Sequence, residues 1–247
     1  AYRIELLGAL AGLVSVGLGT LSERPWVWWG YLAAVTLLTC SLLSHRWLRG
    51  MVVLTVLGYM PWAGSIATWQ TTRFYERLKG IPLQEIVHSS DSWYQKVELI
   101  RDIRGDLRCF LNGLEYFNAG ELEVFNVILS EIPSVLVRPS TVLIVGAGSM
   151  SSLAHVRPHA GTVTLVELDR RVYEVSRRYL QTVHGLEQAP PPRLIVDDIR
   201  HALRTSSETF DLIILDLPAP IYIQTGLLYT QEFYAQVRAH LRPHGVV

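Results

Sequence analysis

Apolar residues are arranged in two different ways along the 247-residue chain. Near the start they form long uncharged runs, Leu6–Leu21, Trp26–Ser44 and Met51–Thr72. A helix that crosses a hydrocarbon core needs ~20 apolar residues, so the pattern predicts three spans, the first completed by Arg3 and Glu5 at an interface. Ser22-Glu23-Arg24-Pro25 reads as a turn, with proline placed for the first turn of the next helix. Trp26, Trp28, Trp29 and Tyr31 cluster at that helix start, where amphipathic rings suit a headgroup region. Pro61 would kink the third span, which helix bundles in lipid tolerate. Gly8, Ala9, Ala11, Gly12, Gly17 and Gly19 make the first run suited to close packing. This predicts membrane lipid as a partner, together with other membrane subunits or further copies of the chain.

Beyond Thr72 the period changes. Arg73–Lys79 reads as a helical exit, followed by a linker through Gly80 and Pro82. Tyr94–Ile100 and Leu107–Leu111 read as strands of a hairpin turning near Arg104-Gly105-Asp106. Glu121–Ile132 has helical spacing at Leu122, Phe125, Ile128 and Leu129, with Pro133 as a stop. From Thr141, short apolar strands (Thr141–Val145, Thr162–Leu168, Arg193–Val196, Phe210–Leu215) alternate with helical stretches (Met150–Arg157, Arg171–Thr182, Ile199–Thr205, Thr230–Leu241). That alternation predicts a parallel sheet covered on both faces. Gly245-Val246-Val247 would begin a fifth strand. The expected class is α/β: a Rossmann-like, class I methyltransferase-type parallel sheet with a small N-terminal β-hairpin region, preceded by a transmembrane helical segment. The expected divisions are 1–72 transmembrane, 73–91 linker, 92–140 hairpin and helix, and 141–247 Rossmann-like and truncated at its end.

Composition sharpens the contrast between the two parts. Hydrophobic residues make up 49% and mean hydropathy is +0.24. Four basic and two acidic residues lie up to Thr72; subtraction from totals of 22 and 22 leaves 18 basic and 20 acidic beyond it. The basic residues there are interleaved with acids, so the chain offers no nucleic-acid footprint. Cys40 and Cys109 have no paired or metal-ligand spacing. His155, His159 and His184 are not spaced as ligands with carboxylates or cysteines, so no metal is expected. His88, Ser89 and Asp91 are neighbours in sequence, but a triad is defined by geometry and nothing in the sequence supports one.

In an open parallel sheet, ligands bind beyond the carboxyl ends of the strands. The first strand is followed by Gly146-Ala147-Gly148, where two glycines permit a sharp turn and a close backbone approach. The third glycine of a dinucleotide fingerprint is replaced by Ser151. Glu167 follows the second strand, 21 residues beyond Gly146 and placed for ribose hydroxyls. Asp197-Asp198 follows the third, where a carboxylate can receive an adenine amino group. Asp216 follows the fourth, facing the place of a reacting group. A pyrophosphate cofactor leaves the last acids without a role, whereas a small-molecule adenosyl nucleoside uses the whole set.

These motifs carry a resemblance. Tyr94-Gln95, Phe110-Leu111-Asn112-Gly113, Val142–Gly148, Val166-Glu167-Leu168-Asp169, Val196-Asp197-Asp198 and Phe210–Asp216 with Leu228–Tyr234 resemble motifs of the polyamine aminopropyltransferases, spermidine synthase and its relatives. The resemblance covers roughly 155 residues from about Ser92, and relatives with a membrane-spanning N-terminal part exist. It implies aminopropyl transfer from decarboxylated S-adenosylmethionine to a diamine, with methylthioadenosine as the nucleoside product. It assigns Gln95, Gly146, Gly148, Glu167, Asp197 and Asp198 to the nucleoside and Asp216 to catalysis. Adenosyl donors of this kind place the domain in the cytoplasm, on a multi-pass membrane anchor.

The departures fall on the acceptor side. The family's Asp-Ser-Ser-Asp-Pro run is Asp216-Leu217-Pro218-Ala219-Pro220, without its second acid. Ser149-Met150 replace the Asp-Gly of the loop, and Tyr116 replaces a glutamine. The family's acidic and Tyr-His-Glu run falls on Glu121-Leu122 and Phe125-Asn126-Val127. Loss of carboxylates weakens the hold on a polycation. The first expectation is therefore an inactive or altered homologue with a retained nucleoside pocket, acting as a membrane subunit. The alternatives are an active aminopropyltransferase with an unusual acceptor and a methyltransferase using intact S-adenosylmethionine.

Overall fold

A computed structural model of the protein describes residues 25–43, 45–120, 124–146, 148–220 and 223–247. The run Leu6–Leu21 and its small residues lie outside the described residues. The chain divides into two compact units, Ala1–Leu107 with Leu111–Gly113, and Arg108–Phe110 with Leu114–Val247.

The first unit opens with helices α1 (Pro25–Leu42) and α2 (Arg46–Tyr59), a 3₁₀ turn at Met60–Trp62, and α3 (Ala63–Arg73) running into a π-turn at Phe74–Leu78. Among the described residues no helix is long and apolar enough to cross a membrane. This contradicts the multi-pass membrane localisation expected from the apolar runs. The physical reason lies in how the runs are folded. The run ending at Thr72 is cut at Pro61 into helices of 14 and 11 residues. At ~1.5 Å per residue, neither reaches across a core about 30 Å thick. Helix α1 has 18 residues, and Thr36, Thr39 and Ser41 dilute its apolar half.

Strands β1 (Leu83–Asp91) and β2 (Lys96–Asp102) form an antiparallel hairpin. Much of the stretch read as linker is therefore a strand. Register shifts between Leu83 and Glu85 and between Ile86 and His88 break the two-residue period that would have revealed it. Ser92 closes the turn, its Oγ accepting from the Tyr94 and Gln95 N–H groups. Inside the unit, the Tyr75 hydroxyl donates to Glu98 Oε2 at 2.7 Å, which satisfies a buried carboxylate. The next turn falls at Arg104-Gly105-Asp106 as expected. Asp102 Oδ1 accepts from the Arg104 and Asp106 N–H groups, and Gly105 has φ +88°. β3 (Leu107–Leu111) follows, then Asn112 and Gly113 with φ 50° and 74°, then β4 (Leu114–Asn118). The Asn-Gly pair is a strong hairpin signal.

In the second unit, Val124–Asn126 forms one helical turn (α4), Val127–Glu131 a π-turn and Ile132–Val137 helix α5. Pro133 does not stop the helix. Ile132 N–H donates to Val127 O, five residues back, so the ladder has already shifted where proline lacks a donor. The helix ends instead at Arg138, whose φ is 48°.

The remainder alternates as the sequence predicts through β8: β5 (Thr141–Gly146), α6 (Ser151–Val156), β6 (Thr162–Glu167), α7 (Arg170–Tyr179), β7 (Arg193–Val196), α8 (Ile199–Thr205) and β8 (Phe210–Asp216). After it come an unexpected short α9 (Ile223–Gly226), α10 (Gln231–Ala239) and β9 (Leu241–Val246), which starts at Leu241 rather than at the expected Gly245. The five strands are parallel in the order β7-β6-β5-β8-β9. Alternate residues of each strand serve opposite faces. Val142, Ile144, Leu165, Leu212 and Ile214 pack with Leu153 and Val156 of α6. Leu143, Val145, Val166 and Ile213 pack with Ile199, Leu203, Phe233 and Val237. Each such side chain contributes about 1.5–3 kcal/mol through removal from water. The strand order reverses between β5 and β8, which opens a crevice at their carboxyl ends.

Candidate active site at the strand ends

The crevice begins where β5 and β8 are in register, Gly146 opposite Asp216. Gly146 has φ +83°, and a Cβ added there would lie 2.1 Å from the Asp216 carbonyl oxygen. No other residue fits this position. A Cβ on Gly148 would lie 2.6 Å from Val172 Cγ1 and 3.0 Å from Glu167 Oε2. The second glycine therefore lets the loop pass directly over the carboxylate at the end of β6. Met150 continues the loop at φ 69° into α6.

Glu167 is buried, and its Oε1 accepts the Asp169 N–H at 2.9 Å. Burial pushes its carboxyl up from 4.5 to about 7; the Asp169 and Leu168 N–H groups oppose the rise, and the Asp169 and Asp216 charges add to it. Asp216 is raised by the same cause, burial, against a hydrogen bond from Ser152 Oγ to its Oδ2 at 2.7 Å. Tyr116 reaches the same place from β4. The residue is 36% exposed, but its hydroxyl points inward and accepts the Ser149 N–H at 3.3 Å. Burial there, then the Glu167 and Asp216 carboxyls, hold the phenol well above its ordinary value. It is a neutral donor at any working pH.

The acids after β7 are engaged locally. Asp198 caps α8, accepting the Arg200 N–H at 2.8 Å, and its other oxygen pairs with the Arg200 guanidinium at 2.8 Å. The guanidinium holds the Asp198 carboxyl below its ordinary range. Asp197 Oδ1 accepts the Asp198 N–H, and Oδ2 meets His201 Nδ1. Gln95 belongs to the first unit and closes the β1–β2 turn. The second unit thus brings Gly146, Gly148, Glu167 and Asp216 together with Tyr116, and sets Asp197 and Asp198 at the next strand end. Sequence reasoning did not single out Ser152, whose hydroxyl is fully buried beside Asp216. A serine in an amphipathic helix gives no signal of such a contact.

The Spermine/spermidine synthase domain model matches residues 124–247, which is 124 of the 247 residues. The chain belongs to that family. It is 32% identical over 168 residues to a polyamine aminopropyltransferase of Oceanobacillus iheyensis, covering 66% of this chain and 33% of the relative. A polyamine aminopropyltransferase of Korarchaeum cryptofilum is 40% identical over 114 residues, 45% of this chain and 35% of the relative. Polyamine aminopropyltransferase 2 of Ralstonia nicotianae aligns with the whole chain at 28% identity, over 48% of its own length. The chain thus spans between a third and a half of the length of these relatives. A spermidine synthase solved in complex with the transition-state analogue AdoDATO superposes with a TM-score of 0.60 at 25% identity, over 66% of this chain and 56% of that one. The spermidine synthase of Thermotoga maritima shares the fold, with a TM-score of 0.59. The Rossmann-like expectation and the family resemblance therefore stand; the membrane-anchored variant is not shown.

Proposed function

We propose that the strand-end crevice binds decarboxylated S-adenosylmethionine and transfers its aminopropyl group to an amine acceptor. The observation that carries this reading is Asp216. A carboxyl held at the switch point, partly buried and raised above its ordinary value by desolvation, suits a general base. The donor supplies a carbon activated by a neighbouring sulfonium. Asp216 would take one proton from the acceptor ammonium, freeing the electron pair that forms the new C–N bond. The C–S bond breaks with its electron pair going to sulfur, and methylthioadenosine leaves. Glu167, half protonated near pH 7, would meet the ribose hydroxyls, and Gly146 and Gly148 would leave room for the nucleoside. Asp197 and Asp198 lie at the end of β7, where the family resemblance assigns the adenine. The family, together with the retained Asp216, supports an active transferase over the inactive homologue expected from the acceptor-side losses. Ala219 and Tyr116 support an acceptor other than the family's usual diamine.

The test is product formation. The protein is incubated with decarboxylated S-adenosylmethionine and a panel of primary amines, and methylthioadenosine is measured by mass spectrometry. Asp216→Asn should lower the rate by about 10²- to 10⁴-fold. Equal rates for both proteins, or no methylthioadenosine with any amine, would remove this reading.

A further inference from the structure

Ser152 Oγ lies 2.7 Å from Asp216 Oδ2 and 3.0 Å from the side-chain amide oxygen of Asn126. A serine hydroxyl carries one proton, so it cannot donate to both. Two arrangements satisfy the trio. With Asp216 ionised, the Ser152 proton points to Oδ2 and the Asn126 amide turns to present its N–H₂ to Ser152 Oγ. That turn exchanges the amide oxygen and nitrogen and leaves the outline of the side chain nearly unchanged. With Asp216 protonated on Oδ2, the whole chain reverses and Ser152 donates to Asn126 Oδ1. Ser152 is fully buried, so no water replaces either partner without displacing protein. Oδ1 of Asp216 has no hydrogen-bond partner among the described residues.

We infer that Asn126 and Ser152 are positioning residues that hold Asp216 by Oδ2 through a directional hydrogen-bond chain and so leave Oδ1 as the oxygen that meets the substrate amine. This rests on the proposed role of Asp216 as base. The titratable groups that face this carboxyl are Glu167 at the end of β6 and the Tyr116 phenol from β4; β5 presents only Gly146, and α6 presents Ser152. Both facing groups act against the Asp216 anion or are neutral, so the donor chain is its specific support. The geometry supplies two opposed influences on the carboxyl. Burial favours the acid and the Ser152 hydroxyl favours the anion.

The experiment is a pH titration of the Asp216 carboxyl carbon by ¹³C NMR in aspartate-labelled protein, assigned by its loss in Asp216→Asn. Ser152→Ala should move the Asp216 midpoint up by about one pH unit, a tenfold gain in proton affinity. Asn126→Ala leaves the residue beside the carboxyl intact and should move it in the same direction by a smaller amount. A purely structural role for Asn126 would change stability and leave that midpoint in place. Unchanged or lowered midpoints in Ser152→Ala would overturn the inference. The readout needs no turnover. A wild-type protein that transfers nothing would refute the proposed function while the titration still decided the donor chain.

Discussion

Gly146 and Asp216 face each other across the β5–β8 ladder at a distance that admits no side chain on residue 146. The contact joins the glycine turn after β5 to the strand end that carries the proposed base. Gly146→Ala meets both a φ of +83° and a backbone oxygen that cannot move without shifting β8. We expect a loss of more than about 2 kcal/mol, since strained backbone and overpacking each cost about 1–3 kcal/mol. Urea unfolding measures it. A change within ~0.5 kcal/mol would mean that the two strand ends are not held in this register.

Glu167 gives the fold a pH dependence of definite sign. Its carboxyl rises from 4.5 to about 7 on folding, so the native state holds the proton more tightly than the unfolded chain. The resulting stabilisation is complete below pH 4.5 and is lost as pH rises through about 7. Glu167→Gln keeps an oxygen for the Asp169 N–H and removes the titration. The variant should gain on wild type between pH 5 and pH 8 by up to roughly 3 kcal/mol. Denaturation curves at the two pH values test this, and parallel stability profiles for the two proteins would contradict it.

Asp198 combines a structural duty with a proposed binding one, and the two can be separated. As the cap of α8 it contributes about 1 kcal/mol, which Asp198→Ala should remove. Asp198→Ser keeps a capping oxygen but has no carboxylate. If the adenine assignment holds, Asp198→Ser should retain most of the stability and still weaken methylthioadenosine binding. Unfolding and calorimetry on the same samples check it; equal affinity for wild type and Asp198→Ser would leave Asp198 as a cap alone.

What the sequence revealed and what it hid follow from the same physics. The parallel strands were legible because burial on both faces leaves near-continuous apolar runs, as in Thr141–Gly146 and Phe210–Asp216. The first strand was hidden because its irregular pairing scrambles alternation along Leu83–Asp91. Pro133 misled because a proline ends a helix only where the regular ladder needs its N–H, and the preceding π-turn had already displaced that ladder. The run ending at Thr72 misled through its length: Pro61, expected only to kink it, divides it into two short helices. At the site, the glycines and acids were readable because each sits at a fixed offset from a strand end. Ser152 was not, since its partners are distant in sequence and its spacing follows no period; Tyr116 stood out only as the residue in place of a glutamine, and its contact with Ser149 was not legible.

The central claim is that the crevice formed by Gly146, Gly148, Glu167 and Asp216 accepts an adenosyl nucleoside. Calorimetric titration of methylthioadenosine into wild type and Glu167→Ala tests it most directly. The account predicts binding by the wild type and an affinity for Glu167→Ala lower by roughly ten- to more than a hundred-fold, the cost of one charge-assisted hydrogen bond of about 1.5–3 kcal/mol. No heat of binding with folded wild type, or equal affinity for the two proteins, would contradict it.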